Sequence, residues 1–146
     1  MSPNKDIHSA IDPALIQAYL ETEYRIHGAT PCMLKVGVTS PVLAELHKTH
    51  AVKESAFITA CNPFSTLLNE TDNTERHAKL RQLLKQRGFV FLEGIGKHPA
   101  GGWPGEPGFL VFGISLEAAR VLASELEQNA IIWNADDAVP QLILLR

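Results

Sequence analysis

The sequence predicts an α+β fold in one domain over residues 1–146. A ferredoxin-like split βαββαβ core covers about residues 55–134, with an N-terminal helix-strand-helix extension and a C-terminal edge strand. Three observations support this. From residue 55 to 134, runs rich in β-branched and aromatic residues alternate with helix-like segments in the order strand, helix, strand, strand, helix, strand. The chain of 146 residues has the usual size of one compact domain, without an internal repeat or a dividing linker. Its composition is ordinary, 45% apolar and 20% charged, which excludes disordered and low-complexity classes. A domain of this length buries about 68–70% of its unfolded surface, so it needs no metal or disulfide.

Each element follows from local signals. Asp12-Pro13 starts the first helix, and Leu15, Ile16, Tyr19, Leu20 and Glu23 at helical spacing carry it over 13–25. Cys32 to Val38 reads as a strand, and Ser40-Pro41 opens a short helix to about His50. Ser55 to Cys61 is a buried strand, which Asn62-Pro63 ends because proline cannot continue the ladder. A polar loop runs to about Asp72, then a helix spans 73–87 with Leu80, Leu83 and Leu84 on one face and Gly88 as its stop. Strands follow at Phe89–Ile95 and Gly108–Ile114, separated by GKHPAGGWPGEP, which is too rich in Gly and Pro to be regular. Ser115 caps a helix reaching Leu126. Strands at Ala130–Trp133 and Gln141–Leu145, joined by a turn at Asp136–Pro140, finish the chain. The helices are expected largely on one face of one sheet.

Composition also narrows the partners. The 13 Lys and Arg against 16 Asp and Glu give a net charge of −3, so no nucleic-acid footprint is expected. The longest apolar runs, such as Phe109–Phe112 and Leu142–Leu145, are far too short to cross a membrane. The opening residues MSPNKDIHSAIDP lack the apolar core of a signal peptide, and a cytoplasmic protein is expected. Cys32 and Cys61 form no metal or redox motif and read as buried reduced thiols. His47 and His50 lack a third ligand at metal spacing, and GIGKHPAGG does not have the order of a phosphate-binding loop. No metal and no cofactor are expected.

The topology itself points to a site. In the split βαββαβ arrangement, the loop after Cys61, the loop from about Lys97 to Pro107 and the Glu127–Asn129 turn share one edge. These segments carry Asn62, Ser65 and Asn69, then His98, Trp103 and Glu106, then Gln128 and Asn129. Binding residues favour loops on a rigid sheet, so these eight are the candidate ligand-binding set. The first loop ends near a helix N-terminus, where free N–H groups favour an anion. Arg76, Lys79, Arg81, Lys85 and Arg87 lie on that helix, mostly away from its leucines, and read as a solvated face.

Four stretches, AYLETEYR at 18–25, ITACNPFS at 58–65, WPGEP at 103–107 and QNAIIW at 128–133, resemble a small bacterial family of unknown function, DUF3293. Members commonly place an aromatic residue before the Asn-Pro pair, where this chain has Cys61. The resemblance implies a bacterial cytoplasmic protein and no particular chemistry. The leading expectation is a module that binds a small polar or anionic ligand at the loop edge formed by residues 62–69, 98–107 and 127–129. The alternatives are a homo-oligomeric interaction or structural protein, and an enzyme using Glu106 and His98 as base and acid.

Overall fold

Local capping chemistry opens the four α-helices among the described residues. Asp12 accepts the Ala14 N–H at 2.8 Å ahead of α1 (Pro13–Glu21), and Ser40 accepts the Leu43 N–H ahead of α2 (Pro41–Thr49). Asn69 caps α3 (Glu70–Gln86), and Ser115 caps α4 (Leu116–Glu125). The computed structural model describes residues 10–101 and 104–146. Its strands are β1 (Glu23–Ile26), β2 (Cys32–Leu34), β3 (Ser55–Ile58), β4 (Val90–Lys97), β5 (Glu106–Phe112), β6 (Ala130–Asn134) and β7 (Pro140–Leu144). They form one seven-stranded antiparallel sheet in the order β2-β1-β4-β5-β3-β6-β7. The fold is α+β.

The N-terminal expectation needs correction. The helix predicted over 13–25 ends at Glu21, because Thr22 is already extended and Tyr24 and Ile26 alternate inward as β1. β1 pairs with both β2 and β4, so the extension is helix-strand-strand-helix rather than helix-strand-helix. The helices also lie on both faces of the sheet, not largely on one. Strand alternation explains this: Ala56, Ile58, Phe109, Val111 and Ile131 face a core shared with Leu80 and Leu84 of α3 and Leu122 of α4. Their neighbours Phe57, Leu110, Phe112 and Ile132 face the opposite side, with Tyr24, Ile26, Leu34 and Leu43 of α2. A central sheet apolar on both faces must be covered twice.

Smaller corrections follow the same physics. Helix α3 starts at Glu70, three residues early, since Asn69 is its cap and not part of a free loop. Cys61 is buried, but Cys32 is only half-buried. The α3 cations are not all solvated: Arg76 donates to the carbonyls of Ala60 and Leu126, and Arg81 reaches Glu93 at 2.8 Å over the Phe109 ring. Arg76 thereby shares with Gln128 Nε2 the job of satisfying the Leu126 carbonyl at the end of α4. Strand β7 pairs with β6 over its whole length, as the turn between them predicts, and Leu142, Ile143 and Leu144 are half-buried. No helix among the described residues is long and apolar enough to cross a membrane.

Candidate functional site

Register creates a hollow on the α2 side of the sheet. Tyr24 of β1 lies opposite Gly96 of β4, and Gly96 lies opposite Glu106 of β5. The next row pairs Ile26 with Gly94, and Gly94 with Gly108. Glycine thus replaces a side chain at three positions of this face. Phe57 leans into the space at two of them: a Cβ on Gly94 would stand 3.0 Å from its ring, and one on Gly108 2.7 Å. Beyond Phe57 an apolar row continues through Ile132 to Leu142. Helix α1 passes over the hollow with Leu15, Ala18 and Tyr19, and with Thr22 just after it encloses a cavity of about 320 Å³. That volume lies at the small end of the range of ligand sites, about 300–1,000 Å³.

The polar groups gather at one end of this cavity, and most come from the predicted set. Asn62 is buried in a left-handed backbone conformation (φ 48°). Its Oδ1 accepts from Leu68 N–H at 3.0 Å and Asn73 Nδ2 at 2.8 Å, while its Nδ2 donates to Glu106 Oε2 at 2.7 Å. Glu106 is therefore half-buried and held by a buried amide. It was expected in the Gly-Pro-rich loop, but it is the first residue of β5, and strand alternation points it onto the cavity face. Ser65 Oγ lies 2.8 Å from Tyr19 Oη in a hydrogen bond and accepts from Asn129 Nδ2 at 2.9 Å. Gln128 Nε2 donates to Cys61 O at 3.1 Å and holds the third segment against the first. Asn62, Phe64 and Ser65 all have positive φ, so this turn is strained and depends on its bonds to keep its shape.

Two of the predicted residues behave differently. Asn69 spends its side chain on capping α3, and Glu70 and Asp72 occupy the first turn. Those carboxylates already supply the negative charge the helix end favours, which leaves an anion less to gain there. His98 lines the cavity, but it is half-buried and its two nitrogens are engaged: Nδ1 accepts from Ala100 N–H at 3.1 Å, which leaves Nε2–H to donate to Glu21 Oε1 at 2.8 Å. Trp103 lies outside the described residues. Sequence reasoning missed Tyr19, Tyr24, Thr59 and Asn73. Tyr19 and Tyr24 fall on inward positions of α1 and β1, a signal hidden when both segments are read as one helix.

Electrostatics limits the chemistry here. Burial, with the Glu106 charge, pushes the Tyr19 hydroxyl above its ordinary pKa, and the same causes raise Tyr24 further. Both stay protonated at neutral pH, so they offer hydrogen bonds rather than a base. Burial also raises the Cys61 thiol, which keeps it unreactive. Among the described residues no cluster of three or more His, Cys, Asp or Glu can hold a metal ion.

Comparison with protein families matches residues 58–131, half of the chain, to a family described as a protein of unknown function, DUF3293. Neither a curated protein nor a solved structure matches. The matched stretch runs from the end of β3 into β6 and carries Asn62, Ser65, Glu106, Gln128 and Asn129, while α1 and β1 lie before it. The chain belongs to the DUF3293 family of proteins of unknown function.

Proposed function

We propose that this protein binds a small, largely apolar molecule with a polar head in the cavity beneath α1. One observation carries the reading: a hollow of about 320 Å³ has largely apolar walls and a few hydrogen-bonding side chains, among them Asn62, Ser65 and Glu106, held in place by a network of bonds. Sites for small ligands have that character, a greasy body pocket with a few fixed polar groups setting orientation. Asn62, Ser65, Glu106 and Gln128 supply polar groups to the lining, and Asn129 braces Ser65. Of the polar and anionic ligands expected, the polar class fits better, since the charged side chain in that lining is a carboxylate. The enzyme reading with Glu106 and His98 has less support, because both His98 nitrogens are already bonded. The ferredoxin-like reading of residues 55–134 is supported by the strand order β4-β5-β3-β6, with α3 and α4 on one face.

The test uses 1-hexanol as a neutral amphiphilic probe, titrated into isotopically labelled protein and followed by amide NMR. Saturable shifts should gather at Leu15, Phe57, Ile132 and Leu142. Ala18→Phe, which fills the cavity from α1, should abolish them in a protein that remains folded by circular dichroism. Scattered, non-saturating shifts would overturn the reading.

A further inference from the structure

We propose that the head group recognised in this cavity is a neutral hydrogen-bond donor, a hydroxyl or a primary amide, received by the side-chain oxygen of Gln128. The inference rests on the binding reading above and adds the chemical class of the ligand's head. Gln128 lines the cavity and is 6% exposed. Its amide has a definite orientation. The atom bonded to Cys61 O at 3.1 Å and to Leu126 O at 3.3 Å faces two carbonyl oxygens, so it must be the nitrogen. Both Nε2 hydrogens are thereby spent, and Oε1, the other arm, accepts no hydrogen bond from any described residue. Three other side-chain atoms without a partner are sealed inside the described part of the protein: His47 Nδ1, His77 Nδ1 and Asn134 Oδ1. Gln128 Oε1 is not sealed in this way, and the open space that this buried residue borders is the cavity.

The oxygen is also held in place. The Gln128 backbone N–H donates to Ala123 O at 3.1 Å, just past the end of α4. Turning the amide over would set its oxygen against the carbonyls of Cys61 and Leu126 and lose both bonds. A ligand filling the cavity must therefore donate to Oε1 or bury it unpaired, since Ala130, Ile131, Ile132 and Leu142 line the same space. A ketone, ether or ester head brings acceptor oxygens only, which places lone pair against lone pair. A hydroxyl or primary amide donates, and its own oxygen can accept in turn. Asn62 Nδ2, in the same lining, carries two hydrogens, of which the described residues engage one. Sites built to bond a hydroxyl reject the analogue that lacks it far more strongly than an apolar pocket rejects a change of one methylene.

Three uncharged probes test this, each titrated at pH 7: 1-hexanol, hexanamide and methyl pentyl ether, an isomer of 1-hexanol without the O–H. The alcohol and the amide are expected to bind at least about tenfold more tightly than the ether. In carbon-13-labelled protein the Gln128 side-chain carbonyl resonance should lie downfield in the 1-hexanol complex relative to the ether complex, as a bond to Oε1 requires. Gln128→Met, which removes the acceptor, should bring 1-hexanol to within about twofold of the ether. If 1-hexanol binds and the ether binds as well, the donor assignment fails and the binding reading stands. If the alcohol is preferred but the Gln128 resonance is the same in both complexes, or the preference survives in Gln128→Met, Gln128 is not the acceptor and the assignment also fails. If none of the three binds, both readings are overturned. The wild-type affinities and resonances decide the matter should Gln128→Met not fold.

Discussion

Asn62 shows how much one side chain can organise. It tolerates φ 48° more readily than most residues, because its short amide can bond locally, and its three side-chain bonds tie the turn after β3 to Leu68, to Asn73 of α3 and to Glu106 of β5. Asn62→Ala would lose all three and strand their partners, at a cost of about 2–4 kcal/mol. A urea midpoint displaced by less than about 1 kcal/mol of stability would show that the network is ornamental. The histidines report on burial in another way. His47, buried with Nε2 2.8 Å from Ser55 Oγ, has its pKa lowered by burial, against a weaker opposing pull from Asp136. His77, stacked on Phe109, is lowered by burial and by Arg81, with Glu93 opposing. The unfolded chain therefore takes up these protons at a higher pH than the folded one. Stability should be full above about pH 6.5 and fall as the pH drops below it. His47→Gln should flatten part of that slope in denaturation series from pH 8 to 5; an unchanged slope would remove His47 from the account.

Among the elements, α1 differs from the other three helices. It has no buried residue, whereas α4 buries Ala119, Leu122 and Ala123. Its hold on the sheet comes from polar contacts: Tyr19 to Ser65, Glu21 to His98, and the carbonyls of Tyr19 and Glu21 to Tyr24 and Lys35. Such contacts contribute only about 0.5–1.5 kcal/mol each, less than the packing of a buried helix face. The amides of α1 should therefore exchange with solvent much faster than those of α4, through local opening that leaves the sheet intact. Equal protection in the two helices would contradict this. Since α1 roofs the cavity, saturating 1-hexanol should slow exchange in α1 and leave α4 unaffected.

At the scale of the whole molecule, the C-terminal strand closes the sheet. Removing residues 141–146 uncovers the β6 edge and withdraws Leu142 and Ile143 from the two cores, besides the Arg146 bond to Asn129. Because these side chains are half-buried, the loss is about 2–4 kcal/mol on the area scale, and the newly open apolar edge should promote association. A truncated chain with an unchanged midpoint and no tendency to aggregate would show that β7 is dispensable. The sequence by itself determined what depends on neighbours along the chain. The caps Asp12, Ser40 and Ser115 and the order of elements from residue 55 are local effects of hydrogen bonding and backbone freedom, so they can be read without a fold, although β3 ends at Ile58 and not at the Asn62-Pro63 pair expected to end it. The gathering of Asn62, Glu106, Gln128 and Asn129 was legible too, since strand direction alone carries those connections to one edge. The cavity was not. It exists because Gly94, Gly96 and Gly108 fall in adjacent rows under a helix from the far end of the chain, and register between distant strands leaves no mark in either segment alone. The same holds for β1, whose four residues become a strand only because β4 offers an edge, and for Arg76, whose two carbonyl partners lie 16 and 50 residues away.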